Sequence, residues 1–345
     1  MSDTVGIAAL MRNEGPFVLD WVAHHRALGF GPITVFSDRC EDGTMGILDA
    51  LALSGAITHR QCPPGNGRPQ WRVLKSLEDD FLGQVGWFVH IDADEFLVLG
   101  EDYASVQDLL AALVDVDALA IPWRLFGHSG HLTFRPEPVT ERFTMAAPQD
   151  IIFPAAGRFF KSLYNVGVQG FRAPGVHRPK QRKGAAPVWR DGYGRDPGWA
   201  FSADDNRILL DPASNELRPI VALHHYSVRS AEDFLVKRAR GLPNRSNKDI
   251  DAVYWAERNF NSVEETGALR HKAGRDAERV RLMDNPDVRQ AHETAVEIHQ
   301  SLILDLLGDP RERELYSRIA LLATSTPPDP NTARRLLKLI HSGPS

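Results

Sequence analysis

Two aspartates one residue apart, Asp92-Ala93-Asp94, close the apolar run Trp87–Ile91. Like charges at close range repel, so at neutral pH the pair calls for a cation beside it. A hard divalent ion, Mn²⁺ or Mg²⁺, bridging to substrate phosphates would meet that need. The same tripeptide also suits a helix-capping turn, in which either carboxylate merely holds backbone N–H groups. Short motifs of this kind are common, and it is the place after a buried strand that singles this one out.

Other groups with chemical potential sit in similar places. Asn13-Glu14-Gly15-Pro16 opens a helix directly after the run Val5–Met11. A helix N-terminus offers unpaired N–H groups and a positive partial charge, which suit a pyrophosphate. Glu14 would oppose such an anion, so its carboxylate is directed at a sugar hydroxyl or a base edge, or caps the helix. Asp38 and Asp42 flank the turn DRCEDGT, where an acidic residue in dinucleotide-type folds takes a ribose hydroxyl. An Asx-turn at Gly43 is compatible with that role. His224-His225 follow the apolar run Ile220–Leu223, and one of them could complete a metal shell as neutral imidazole. Neighbours on a strand point to opposite faces, so only one should reach the site. Either could equally be an ordinary core or surface histidine.

The elements that must position these groups alternate. Val5–Met11 reads as a strand covered on both faces. A helix from Pro16 carries Phe17, Trp21, His24 and Leu28 on one side. Pro32–Ser37 is a second strand, Thr44 to Leu53 a helix stopped by Gly55, and Ala56–Gln61 a third strand. A loop Pro63 to Pro69, a helix Trp71–Leu82 and a fourth strand Trp87–Asp92 follow. This β-α-β-α-β-α-β order predicts an α/β fold with a mostly parallel, doubly wound sheet and right-handed crossovers. Ligands then bind outside the carboxyl ends of the strands, where the three polar clusters should share one rim. Between Pro122 and Pro219 helical periodicity disappears, and short strands and ordered loops are expected. From Ala231 the pattern is helical again, near 231–241, 249–260, 276–283, 287–307 and 312–323. Thr324–Pro330 reads as a linker to a short basic helix, Asn331–Ile340.

Composition narrows the function class. The 345 residues carry 40 Lys and Arg against 45 Asp and Glu, and 40 − 45 gives a formal charge of −5. A dedicated nucleic-acid binder draws most of its affinity from neutralising phosphates and should be basic, so that class is set aside. Two cysteines, Cys40 and Cys62, make neither a disulfide scaffold nor a zinc site, and a reducing compartment is the default. No run approaches the roughly 20 apolar residues that span a bilayer. The chain reads as cytosolic.

In order along the chain stand Arg12-Asn13-Glu14, Asp20-Trp21-Val22-Ala23-His24-His25, Asp38-Arg39-Cys40-Glu41-Asp42-Gly43-Thr44 and Asp92-Ala93-Asp94-Glu95-Phe96. Trp123-Arg124-Leu125-Phe126-Gly127, Arg142-Phe143, Lys161-Ser162 and Gly175-Val176-His177 come next. His225-Tyr226-Ser227-Val228-Arg229-Ser230 follows, with Phe234, Lys237, Arg240 and Gly241. Over about Val5 to Gly241 this set resembles glycosyltransferase family 92 and related family 2-like bacterial transferases.

The resemblance implies a GT-A fold, Rossmann-like, over residues 1–241, with a nucleotide-binding half 1–100, an acceptor-side half 101–241 and a helical C-terminal extension 242–345. It implies a nucleoside-diphosphate sugar donor of the UDP- or GDP-hexose class, a glycan or lipid-linked saccharide acceptor, an inverting outcome and a divalent Mn²⁺ or Mg²⁺ ion. Carried over, Asp92 and Asp94 hold the metal and donor, Asp38 the nucleoside, Asn13 and Glu14 the donor pocket, and His225 the metal or diphosphate. The eukaryotic members' membrane anchor and cysteine pairs have no counterpart, which places the chain with a bacterial cytosolic branch; a peripheral seat at the inner membrane is compatible. The loop Arg178 to Arg190 and the helices beyond Gly241 match nothing in the family.

An inverting transfer needs a general base within reach of the acceptor hydroxyl. Asp94, Glu95 and His177 are the candidates, Glu95 having as its alternative a salt bridge to Arg72 or Arg142. Lys161 and Arg229 are expected on phosphates, against ordinary surface charge. Two rivals share these residues: a metal-dependent phosphohydrolase of nucleotide sugars, and a non-catalytic carbohydrate-binding protein on the same fold.

Overall fold

Strand β1 (Val5–Met11) is buried along its whole length, as its unbroken apolar run requires of a strand covered on both faces. The computed structural model describes residues 4–77, 81–198, 201, 218–241 and 250–341. β1 pairs in parallel with β2 (Ile33–Ser37) and β4 (Trp87–His90), and β2 in parallel with β3 (Thr58–Gln61). Beyond β4 the directions mix. β8 (Phe160–Asn165) lies antiparallel between β4 and β6 (Ala118–Leu125). β6 runs parallel to β12 (Val221–His225) and to the short β11 (Trp189–Asp191). β5 (Glu95–Leu99), antiparallel to β12, closes the order β3-β2-β1-β4-β8-β6-β12-β5. Two small ribbons, β7 (Met145–Ala146) with β13 (Val263–Glu264) and β9 (Phe171–Ala173) with β10 (Lys180–Gln181), fill the middle of the chain.

The α/β class is therefore as expected, parallel through the first four strands of the order and mixed beyond. Strands consecutive in sequence are not always neighbours in space: β4 and β5, joined by the Asp92-Ala93-Asp94 turn, lie four places apart. The helices include α1 (Gly15–Ala27), α2 (Thr44–Leu53), α3 (Pro69–Ser76), α4 (Val106–Ala112) and the short α5 (Val139–Arg142). α3 ends six residues earlier than the expected Leu82, which lies instead in a 3₁₀ turn, Leu82–Gln84.

Among the described residues six further helices follow: α6 (Ala231–Arg240), α7 (Ala252–Ala256), α8 (Lys272–Met283), α9 (Pro286–Gly308), α10 (Pro310–Leu321) and α11 (Pro330–His341). Leu282, Val288 and Ile303 belong to the same apolar core as β1 and α1, so α8 and α9 form a layer over α1. Gly43, with φ +83°, turns the chain beneath α9; a Cβ there would lie 3.0 Å from the Ala295 Cα. Both its conformation and its neighbour demand glycine. Among the described residues no helix is long and apolar enough to cross a membrane.

Candidate active site

The central turn is suspended from α1. Trp21 donates its indole N–H to the carbonyls of Glu95 (2.9 Å) and Asp92 (3.2 Å). Three and four residues further along the same helix, His24 Nε2 donates to the Leu97 carbonyl (2.7 Å) and His25 Nε2 accepts the Leu97 N–H (3.3 Å). His271 accepts the Leu99 N–H and Arg270 donates to the Leu99 carbonyl. β5 is an edge strand, and these side chains take the backbone groups that a further strand would otherwise pair. The Asp20-Trp21 and His24-His25 spacing is thereby explained: one helix face seals the edge of β5 and fixes the turn before it. Asp20 points the other way, accepting the Val139 N–H and facing Arg275 of α8 at 3.5 Å.

Within the turn the Asp92 N–H donates to Glu95 Oε2 (2.7 Å). Asp92 Oδ2 receives Lys161 Nζ at 3.1 Å and its Oδ1 receives Gln70 Nε2 at 3.0 Å. Lys161 also lies 3.3 Å from Glu95 Oε2 and is wholly buried. Glu95 thus pairs with neither Arg72 nor Arg142, whose guanidinium groups serve backbone carbonyls. Burial pushes the Glu95 carboxyl up to about 8, Lys161 opposing and Asp92 adding to the rise. Burial also works against a charged Lys161, but Asp92 and Glu95 together raise it.

Asp94 is answered from another direction. Lys237 of α6 lies 2.6 Å from its Oδ2 and His225 Nε2 3.5 Å from its Oδ1. Although burial opposes the charge, Lys237 and His225 hold this carboxyl well below the ordinary carboxylate range. Glu14 repeats the arrangement, with Arg240 at 2.5 Å and Arg229 at 2.8 Å. Arg229 stands over the Phe17 ring and donates to the Ala93 carbonyl, while Arg240 reaches the carbonyls of Arg12 and Asn13. Four acidic side chains, Glu14, Asp92, Asp94 and the largely protonated Glu95, therefore interleave with four cations at the carboxyl ends of β1 and β4. Glu14, Lys161 and Arg229 are all buried in these pairs, so neither cation is ordinary surface charge.

The α1 N-terminus is already filled. Asp42 Oδ2 accepts the Gly15 N–H (3.0 Å), and Thr44 Oγ1 accepts the Glu14 N–H (2.8 Å) and donates to Asp42. The expectation of a pyrophosphate on these N–H groups is corrected accordingly, because the chain's own carboxylate occupies the place. Asn13, at φ 51°, uses its Oδ1 to accept the Glu41 N–H, and Asp38 sits at the end of β2 with Arg39 at 3.2 Å.

The histidines divide as strand alternation requires. His225 meets Asp94 and packs on Trp123 (ring centroids 4.2 Å), while His224 faces away, against Phe126 and the Tyr226 hydroxyl. His177 packs on the other side of Trp123 and its Nδ1 hydrogen bonds to the Phe160 carbonyl (2.9 Å). A carbonyl partner makes Nδ1 the protonated nitrogen and leaves the lone pair on Nε2. Burial, with Lys161 adding, brings the His177 imidazole down to about 4, so it is neutral at physiological pH.

Among the described residues no three His, Cys, Asp or Glu side chains converge where a metal ion could be held. Of the expected Mn²⁺ or Mg²⁺ ligands, Asp94 and His225 meet each other, while Asp92 is paired with Lys161 and Asp94 also with Lys237. Sequence reasoning gave no role to Gln70, Lys237 or Arg240. The last two stood three apart on a predicted helix, a spacing that places both on one face.

No family model and no curated protein matches the chain. Among solved structures it is similar to S. aureus TarS 1–349 in complex with UDP, at 14% identity over 47% of each chain, with a TM-score of 0.31. Glucosyl-3-phosphoglycerate synthase from Mycobacterium tuberculosis superposes with a TM-score of 0.24 at 16% identity, over 35% of this chain and 44% of that one. A CMP:2-keto-3-deoxy-manno-octonic acid synthetase gives 0.25 at 11% identity, over 47% and 74%. The chain spans less than half the length of the TarS chains it matches. Likenesses this shallow carry no weight for substrate or activity.

Proposed function

We propose that the chain is a glycosyltransferase that moves a sugar from a nucleoside-diphosphate sugar of the UDP- or GDP-hexose class to a glycan or other saccharide hydroxyl. The observation that carries this reading is the interleaved ring of carboxylates and cations at the carboxyl ends of β1 and β4, where open α/β sheets bind their ligands. Asp92 is its most exposed acid, with 29% of its side chain accessible, and Lys161 and Gln70 fix its direction. A carboxylate held in that way suits donor hydroxyls, and Asp38 at the end of β2 suits the ribose.

In the reaction the acceptor oxygen forms a bond to the anomeric carbon. The bond from that carbon to the diphosphate oxygen breaks, its electron pair leaving with the diphosphate. The acceptor proton passes to His177 Nε2, the neutral imidazole nitrogen left free by the Phe160 contact. Lys161, Lys237, Arg229 and Arg240 set a positive field, fixed before reaction, toward the leaving charge. Asp94 and Glu95 hold those cations rather than take the proton, since each is buried against a lysine. Direct attack from the face opposite the diphosphate inverts the anomeric centre.

Thermal unfolding with a panel of nucleoside diphosphates and their sugars tests the reading, because a ligand that binds only the folded state raises the midpoint. UDP or GDP should raise it in the native chain and not in Asp92→Asn. No response to any nucleoside diphosphate would overturn the proposal.

A further inference from the structure

On the opposite side of β12 from His225 lies a cavity of about 410 Å³, within the size range of small-molecule sites. His224 and Arg124, partners across β12 and β6, face into it, with Gln149, Tyr193, Glu265 and Arg270 around them. Gln149 and the Tyr193 hydroxyl are hydrogen bonded to each other at 3.3 Å, Glu265 accepts the Gly267 N–H, and Arg270 is engaged with the Leu99 carbonyl.

Arg124 differs from these neighbours. Its Nε and Nη1 atoms are shut off from solvent and, among the described residues, have no hydrogen-bond partner. Among the described residues no carboxylate forms an ion pair with it; Glu265 and Asp150 act on it only at longer range. Guanidinium N–H groups shut off from water without an acceptor are costly, and proteins retain them where something else supplies the anion. The planar fork of an arginine fits a carboxylate or a phosphate with two parallel hydrogen bonds. Around it Gln149 and Tyr193 present groups suited to hydroxyls, and Tyr103 adds an aromatic surface.

We infer that this cavity binds a small polyhydroxylated organic anion, a sugar acid or sugar phosphate, through Arg124. Alternation along β6 and β12 puts it on the other face of those strands from Asp94 and His225, so this ligand is distinct from the donor and acceptor of the transfer proposed above.

Calorimetric titration with glucose 6-phosphate and glucuronate tests the inference, with glucose as neutral control and inorganic phosphate as bare-anion control. At least one anionic sugar should bind with unit stoichiometry, about tenfold or more tighter than glucose and tighter than phosphate. Asp92→Asn should bind it unchanged, whereas Arg124→Gln should weaken it about tenfold or more and keep its thermal response to nucleoside diphosphate. Glucuronate preferred over glucose 6-phosphate, or the reverse, identifies the anion as carboxylate or phosphate. A second variant guards against misfolding: without ligand, Arg124→Met should unfold a few degrees higher, since an unpartnered charge has been removed. Binding of neither anion, equal binding of glucose or phosphate, loss in Asp92→Asn, or a lowered midpoint in Arg124→Met would each overturn the inference.

Discussion

Lys237 Nζ lies 2.6 Å from Asp94 Oδ2 and donates as well to the Ser227 carbonyl at 2.8 Å. One ammonium thus joins α6, the segment after β12 and the turn after β4, with both charged groups largely out of water. Removing one member of a buried pair strands the other. Lys237→Met is expected to lower stability by about 3 kcal/mol, read from urea unfolding, with much of the loss restored in Asp94→Asn/Lys237→Met. A single-variant loss under about 1 kcal/mol would show that the pair is dispensable to the fold.

The same lysines bear on divalent ions. Because Asp92 and Asp94 each have an ammonium partner, Mn²⁺ alone should leave the unfolding midpoint where it is, and a chelator should leave the response to UDP or GDP unchanged. A strong rise with Mn²⁺ would mean that the lysines give way to metal.

His177→Asn should reduce kcat by about 10²–10⁴, the usual contribution of a positioned acid or base. Donor affinity, measured separately by titration, should stay within about twofold, since the imidazole is assigned to the acceptor side. A matched loss of affinity would instead make His177 a donor contact.

Acid should open the edge of β5. Burial holds His25 down to about 3 and His271 to about 4, and His24 also well below its ordinary value. Depressed values in the folded chain mean that stability is complete above the unfolded histidine value of about 6.5 and is lost as pH falls below it. His25 alone should account for about 2 kcal/mol by pH 5. Urea unfolding at pH 7.5 and pH 5 measures this, and His25→Gln should reduce the difference by about 2 kcal/mol, leaving the share of His24 and His271.

Much of the frame was legible because burial writes itself into composition. β1 and β4 are apolar runs, and the place of Asp92-Ala93-Asp94 after one of them pointed to the strand ends where the buried charge pairs meet. The opposed faces of His224 and His225 followed from strand geometry alone. What was not legible depended on partners remote in sequence. Nothing local says that Lys161 and Lys237 will take the two aspartates, or that Asp42 will fill the α1 N-terminus, because ion pairing is decided by which elements the fold brings together. The middle of the chain resisted for another reason: β7, β9, β10 and β11 are two or three residues long, too short to show a period. The expected helical extension after residue 241 is partly a layer over α1, a distinction that periodicity does not carry.

Trp21 has an optical consequence. Its indole is fully buried, touches the two carbonyls that bracket Asp92 to Glu95, and packs on the His25 ring at 4.5 Å. Any shift of that turn on ligand binding must lengthen or bend these hydrogen bonds, and protonation of His25 would place a quenching imidazolium against the ring. The difference in tryptophan emission between the native chain and Trp21→Phe is therefore a built-in gauge of site occupancy and of the β5 edge, readable without any attached label.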